Sequence, residues 1–506
     1  MTDQAAPAHP RERQPLYQPT GEKERERDSS LLRALWAPLV VILAVVVFQA
    51  LTIRAGHRWG DDFAMYIHHA KNIVEGIPYA DTGYIQNPHA PLAPLAYPPV
   101  FPLFLAPVYK LFGLDFTPMK VEVLAFFAGS LMLLSLLVRT ELPVPSLLGF
   151  LAILGFNPFF WQFKDNVVSD VPFLFFATST LLLVHRAPDW ESRLRWRPLY
   201  PLAVGAALYL AIGTRAVGLA LIPTLVAVDL IRSRRLTRMT FVPLAVVVIL
   251  MGAQSLFVHG GGGYTDQPTP GSIVRNVKGY AVSLRRFWQS DRTGGAPPVL
   301  FWALGALALV GFVVRVRRRI TVMEIWPVMY SIPILAWHAR TVGRYLIPWI
   351  PFFVFFALVG AGAAARILRK RLGAAGVIVP AILVAGILAS YTRVYARTDF
   401  GPLAGGPTSP VAQQLWAFVK DQTAPQDVFV FAKPRALSLF TGRPASTYFE
   451  PRDEQQLWAY MRRIRARYLI VSPLDRPYLR RFVLHYQDEL AEVFSAGNFV
   501  VYRLEP

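Results

Sequence analysis

Apolar residues in this chain fall in long uninterrupted runs rather than in stripes. The runs occupy 35–53, 121–138, 146–160, 171–184, 199–212, 217–230, 241–258, 299–314, 322–337, 345–365 and 374–391. A bilayer core takes roughly 20 apolar residues of helix to cross, somewhat fewer where neighbouring helices are short or broken by proline. The pattern therefore predicts a polytopic α-helical membrane protein with about 11 transmembrane helices. The runs at 199–212 and 217–230 form a tight hairpin joined by Gly213-Thr214-Arg215-Ala216. Between the first two runs, 55–118 is too polar and too rich in proline to cross. Within it, 62–74 has a helical period that puts Phe63, Tyr66, Ile67, Ala70 and Val74 on one face. The apolar 101–112 is interrupted by Pro102 and Pro107. Both read as helices lying at the membrane interface.

From Thr392 the periods shorten to those of a soluble domain. Helices are predicted at 411–421 and 455–465, and strands at 428–432 and 468–471. A turn at Asp488-Glu489 then leads into Val493-Phe494 and 499–502. Helices alternating with short apolar strands make a small α/β domain. The expected division is a polar, disordered cytoplasmic tail at 1–33, a membrane domain at 34–391, and an α/β domain at 392–506. The membrane domain carries a first external loop at 54–120 and a second at 259–298. The run at 35–53 is too long for a signal-peptide core and has no small-residue cleavage site close behind, so it reads as a retained anchor.

Composition agrees with this picture: the chain is 54% hydrophobic and 17% charged over 506 residues, with mean hydropathy +0.37. The net charge of +20 invites a nucleic-acid reading. Its placement argues against one, because Arg and Lys gather where the apolar runs end: Arg139, 186–197, 232–238, 315–319 and 366–371. Alternating the runs from a cytoplasmic N-terminus puts all of these on one side, as the positive-inside rule requires. The chain is thus expected to be a multi-pass protein of the cell (plasma or inner) membrane, with its C-terminal domain outside the cytoplasm. No nucleic-acid partner is expected. There are no cysteines, which excludes disulfides and thiolate metal sites.

On the outer side, acids come early (Asp61, Asp62, Asp165, Asp170). Bases recur at loop mouths (Lys164, Arg215, Arg275, Lys278, Arg285, Arg340, Arg344). Carboxylates at a membrane surface suit general-base work once burial brings their pKa toward the working pH. Arginines there suit a phosphate held by paired hydrogen bonds. Together they suit transfer of a group from a lipid phosphate.

The stretch WGDDFAMYIHHAKNIVEGIPY (59–79), followed by AYPPVFPLFLAPVYKLFG (96–113), resembles the first external loop of the GT-C superfamily of polyprenyl-phosphate-dependent glycosyltransferases. The nearest groups are the bacterial protein-mannosyltransferase and aminoarabinose-transferase-like membrane enzymes. SDVPFLFF at Ser169, GTRAVGLALIP at Gly213 and GRYLIPWIPFF at Gly343 are similar to later landmarks, in the same order. The resemblance spans about 36–391 and implies a GT-C-like fold. It implies a sugar moved from a polyprenyl-phosphate donor to a glycan, lipid or protein acceptor of the cell envelope. It also implies a catalytic base in the first loop, with Asp61 favoured over Asp62, and a second-loop acid at Asp165 or Asp170. Lys164, Arg215, Arg340, Arg344 and Tyr345 are implied for the lipid phosphate and donor. No cofactor is fixed, and dependence on a divalent metal is left open.

Several of these residues have a plainer reading. Asp62 and Asp170 can cap the helices they open, and Arg215 and Arg344 can snorkel to headgroups. His68 and His69 suggest a metal, but neighbours on a helix point about 100° apart and do not share one ion. HGGGGY at His259 lacks the lysine of a phosphate-binding loop, and GAGAAA at Gly360 suits close helix packing. The loop at 260–297 could gate the site. The competing functions are a lipid or sugar transporter or flippase, and a non-catalytic cell-envelope binding protein of the same fold. A transporter would be expected to show repeated halves and charges at midplane, and neither is seen.

Overall fold

A computed structural model describes residues 20–90, 94–193, 199–259, 270–287, 298–337, 343–372 and 378–505. The chain opens with α1 (Thr20–Leu51), which begins well ahead of the apolar run it carries. Next comes α2 (Asp62–Glu75), closed by Gly76 in the left-handed region, then a short strand β1 (Tyr84–Ile85) and α3 (Val100–Phe112). Helix α4 (Phe116–Val138) is capped by Asp115, whose carboxylate accepts from the Thr117 N–H. The run at 146–160 is split in two: α5 (Val144–Gly155) ends, and Asn157 caps the short α6 (Pro158–Phe163).

Helices α7 (Asp170–Arg193) and α8 (Tyr200–Ile212) follow. The predicted span at 217–230 starts as a 3-10 turn (Ala216–Ala220) before α9 (Leu221–Ser233). Then come α10 (Arg238–Ser255), α11 (Pro270–Phe287) and α12 (Pro298–Arg318). Of the loop proposed as a gate, α11 is the described portion. Helix α13 (Val322–Ala336) starts from a capping box in which Thr321 and Glu324 satisfy each other's backbone N–H groups. A 3-10 turn (Gly343–Leu346) leads to α14 (Ile350–Leu372), and α15 (Val379–Tyr395) leaves the bundle.

Among the described residues, five helices are long and apolar enough to cross a membrane, and six further apolar helices run 10–17 residues, as suits a multi-pass membrane protein. The arginine-bearing ends lie together. Arg186 donates to the Leu136 carbonyl, Arg232 to those of Val184 and His185, and Arg315 pairs with Glu141. The double-aspartate loop lies at the other end of the bundle, against the C-terminal domain.

That domain contains α16 (Pro410–Gln422), β2 (Val428–Val430), α17 (Pro434–Thr441), β3 (Ala445–Ser446), α18 (Gln455–Arg463), β4 (Ala466–Val471), α19 (Pro477–His485), β5 (Leu490–Ala496) and β6 (Phe499–Leu504). They form a six-stranded mixed sheet of order β1-β3-β2-β4-β6-β5. The first four strands are parallel, and β6 runs antiparallel to both β4 and β5. Strand β1 belongs to the first external loop, so that loop supplies an edge of the C-terminal sheet. Apolar clusters cover both faces of the sheet.

This sharing of the sheet changes the reading of α2. Its apolar stripe suggested a helix lying at the membrane interface. Instead Phe63, Ala64, Met65, Tyr66, Ile67, His68, His69, Ala70 and Asn72 are all buried, between α3 on one side and α17 on the other. His69 stacks on Tyr79, and both its ring nitrogens are used within the loop. Nε2 accepts from the Tyr97 N–H, so Nδ1 carries the proton it gives to the Tyr79 carbonyl. Burial lowers its pKa to about 3, which keeps the ring neutral.

Candidate active site

Asp61 and Asp62 sit at the start of α2, and neither caps it. Asp61 occupies the N-cap position, yet its side chain makes no cap hydrogen bond. Its carboxylate turns to α17 of the C-terminal domain, where Arg435 Nε lies 2.6 Å from Oδ2 and the Ala436 N–H lies 3.2 Å from Oδ1. Asp62 accepts from the Tyr97 hydroxyl at 2.7 Å and from Arg435 Nη2 at 3.1 Å, both on Oδ1. Its Oδ2 lies 2.5 Å from Arg344 Nη2. Tyr97 also takes a hydrogen bond from Arg435 Nη1 at 2.5 Å.

Arg344 links this pair to the helix mouths. It rises from the 3-10 turn before α14 and reaches Asp170 Oδ2 at 3.9 Å. Asp170 opens α7, and its Oδ1 pairs with Arg215 Nη1 at 2.8 Å. The Tyr345 ring lies beside both cations, 5.5 Å from Arg215 and 5.7 Å from Arg344. Ser169 joins Arg215 (3.4 Å) to the Tyr66 hydroxyl (2.6 Å). Three carboxylates and three guanidinium groups thus form one connected network, assembled from α2, α7, the α8–α9 turn, the turn before α14, and α17. One donor in it is unused: Arg344 Nε is buried and has no hydrogen-bond partner among the described residues.

The two adjacent acids are driven apart electrostatically. Burial pushes the Asp61 carboxyl up, and the charge and hydrogen bond of Arg435 oppose this without cancelling it. Burial acts the same way on Asp62. There the charges of Arg344 and Arg435 and the Tyr97 hydrogen bond outweigh it and hold the carboxyl well below the usual carboxylate range. Neighbouring titratable groups with separated pKa values are the arrangement from which acid–base roles are built.

The second-loop residues separate. Asp170 lies in the network. Asp165 does not touch it: its Oδ2 pairs with Arg54 Nε at 2.7 Å and Lys164 Nζ at 2.9 Å, while its Oδ1 accepts the Arg54 N–H. Both cations also lie over Trp161, at 4.6 Å and 4.4 Å. Lys164 is accordingly committed to this second buried cluster. Arg340 lies outside the described residues. Among the described residues, no group of three or more His, Cys, Asp or Glu side chains could hold a metal ion.

Sequence reasoning missed Arg435 and Tyr97. Arg435 sits on a helix of eight residues too short for a periodic signal, although the helix is marked at both ends. Pro434 opens it, and Gly442, with φ of 71°, closes it. Nothing local in the sequence says that this arginine, 374 residues from Asp61, reaches the first loop.

No family model matches the chain, and no curated protein matches it in sequence. Solved structures do. The chain is similar to ArnT from Cupriavidus metallidurans bound to undecaprenyl phosphate, with a TM-score of 0.56 and 15% identity over 92% of this chain and 97% of that one. It is also similar to the oligosaccharyltransferase AglB from Archaeoglobus fulgidus in complex with an inhibitory peptide and a dolichol-phosphate. There the TM-score is 0.58 and the identity 13%, over 86% of this chain and 69% of that one. The fold is therefore the one shared, over most of the chain, with the GT-C glycosyltransferases that use polyprenyl-phosphate substrates.

Proposed function

We propose that the protein is a membrane glycosyltransferase that moves a sugar from a polyprenyl-phosphate donor to an acceptor on the outer face of the cell membrane. The observation that carries this reading is the joining of the first-loop acids to Arg215, Arg344 and Asp170 in one buried network within a GT-C-like fold. The arginine-rich end of the bundle faces the cytoplasm, by the positive-inside rule, and the network with the C-terminal domain faces outward.

In the reaction, Asp61 accepts the proton of the acceptor O–H or N–H as that atom bonds to the anomeric carbon. The bond from that carbon to the phosphate oxygen breaks, and the phosphate leaves with both bonding electrons. Arg215 and Arg344 neutralise it, and the unused Nε of Arg344 supplies a donor for a phosphate oxygen. Asp62, held ionised, fixes Arg344. Asp170 rather than Asp165 is the second-loop acid, and it orients Arg215. Arg435 holds Asp61 in the present arrangement and must loosen its grip for Asp61 to take a proton.

The test is transfer from a radiolabelled polyprenyl-phosphate sugar by purified protein. Asp61→Asn is expected to lose transfer by two orders of magnitude or more while expression and folding are retained. Full activity in that variant removes Asp61 from the mechanism. Translocation of the labelled lipid without transfer by the wild type points to a flippase.

A further inference from the structure

At the end of the bundle opposite the aspartates, a groove of about 780 Å³ opens between α1, α5, α12, α14 and α15. Its walls are apolar, with Val41, Ala152, Val314, Leu358, Val384 and Leu388 among the lining side chains. Its mouth is the reverse: Arg315, Arg318, Arg366 and Arg369 line it, with Glu141 as the one acid among the lining residues. Glu324, outside the lining, also pairs with Arg315, so four guanidinium groups meet two carboxylates and the mouth keeps two excess positive charges.

Two details distinguish this mouth from the basic residues common at helix ends. Arg315 is 6% exposed, and although Glu141 and Glu324 occupy its Nη1 and Nε, its Nη2 is buried without a partner among the described residues. Among the described residues, no carboxylate pairs with Arg318, Arg366 or Arg369. Three exposed arginines with no carboxylate partner among the described residues, at the rim of an apolar slot, suit an anionic headgroup that carries an apolar chain.

We infer that this groove binds an anionic glycerophospholipid, with its phosphate held by the exposed Arg318, Arg366 and Arg369 and an acyl chain lying along the apolar wall. A zwitterionic lipid would fill the wall but leave the arginines without a net counter-charge. A soluble phosphate would pair with the arginines but leave the wall unfilled. Guanidinium groups favour phosphate through paired hydrogen bonds, and basic pockets between membrane helices favour anionic headgroups. The site is separate from the carboxylate network and does not depend on the proposed reaction.

Gly362 gives a clean way to block the groove. It lines the slot, and a Cβ built on it meets nothing within 4 Å, so a larger side chain enters open space. The experiment titrates delipidated, full-length protein in detergent with dioleoyl-phosphatidylglycerol or dioleoyl-phosphatidylcholine and reads bound lipid by native mass spectrometry. The wild type is expected to retain phosphatidylglycerol at least tenfold better than phosphatidylcholine. Gly362→Leu is expected to abolish that retention with an unchanged melting temperature. Combined Arg318→Gln, Arg366→Gln and Arg369→Gln is expected to remove the preference between the two lipids. Equal retention of both lipids by the wild type overturns the inference. So does undiminished phosphatidylglycerol binding by Gly362→Leu, or stabilisation by inorganic phosphate as large as that by phosphatidylglycerol.

Discussion

At the scale of single residues, neighbours in sequence have been given opposite environments. Asp61 is 8% exposed and held by one cation, whereas the Asp62 side chain is 23% exposed and lies between two. Because Arg435 opposes the rise that burial imposes on Asp61, removing it must let that carboxyl climb further. Arg435→Ala is therefore expected to move the acidic limb of the pH–rate profile to higher pH, measured as transfer rate between pH 4 and 8. Asp165 differs in kind. It is fully buried between Arg54 and Lys164, and Asp165→Asn leaves both cations without their carboxylate. A broken buried pair costs about 3–5 kcal/mol. The variant should show a clearly lower melting temperature in detergent, and Asp170→Asn should lose transfer with a smaller thermal penalty.

At the scale of elements, the helices meet where side chains are smallest. Gly311 of α12 and Gly360 of α14 face each other so closely that a Cβ on the first would sit on the Phe356 carbonyl, and a Cβ on the second on the Leu307 carbonyl. No rotamer relieves a clash with backbone, so Gly360→Val must push the helices apart. Overpacking of this kind costs about 1–3 kcal/mol, and more where backbone must move. The melting temperature should fall, whereas Gly362→Leu, two residues on and about 200° around the helix, should leave it unchanged. This contact was legible in the sequence as GAGAAA, because small residues at helical spacing have a direct packing consequence. The burial of α2 was not. A single apolar stripe reports one covered face, and the second cover, α17, comes from a part of the chain more than 300 residues away.

At the scale of the molecule, three buried histidines of the first loop couple folding to pH. Burial lowers His57 and His68 to about 4 and His69 to about 3, from an ordinary value of 6.5. Between pH 6.5 and about 4, the unfolded chain therefore binds protons that the folded one does not. Their contribution is complete above pH 6.5 and is lost as pH falls through that window. Asp475, pushed up to about 6 by burial, works the other way, adding stability at low pH that is lost as pH rises. Asp61, whose carboxyl burial also raises, acts in the same sense as Asp475, but the three histidines outnumber the two carboxyls, so the melting temperature is expected to fall from pH 7 to pH 4.5. A flat profile would mean that the first loop opens before the rest of the protein melts.

The sequence alone determined the membrane class, the approximate placing of the apolar helices, the gathering of arginines at one end, and the resemblance carried by WGDD and its downstream landmarks. These follow from local composition, because a bilayer imposes length and polarity on each segment separately. Tertiary structure decided what the sequence left open. It placed Asp170 and not Asp165 beside Arg215 and Arg344, brought Arg435 onto Asp61, and added a strand of the first loop to the C-terminal sheet. Ion pairs and sheet edges join groups hundreds of residues apart, and their partners are selected by burial and distance. Neither quantity has a local signature in the chain.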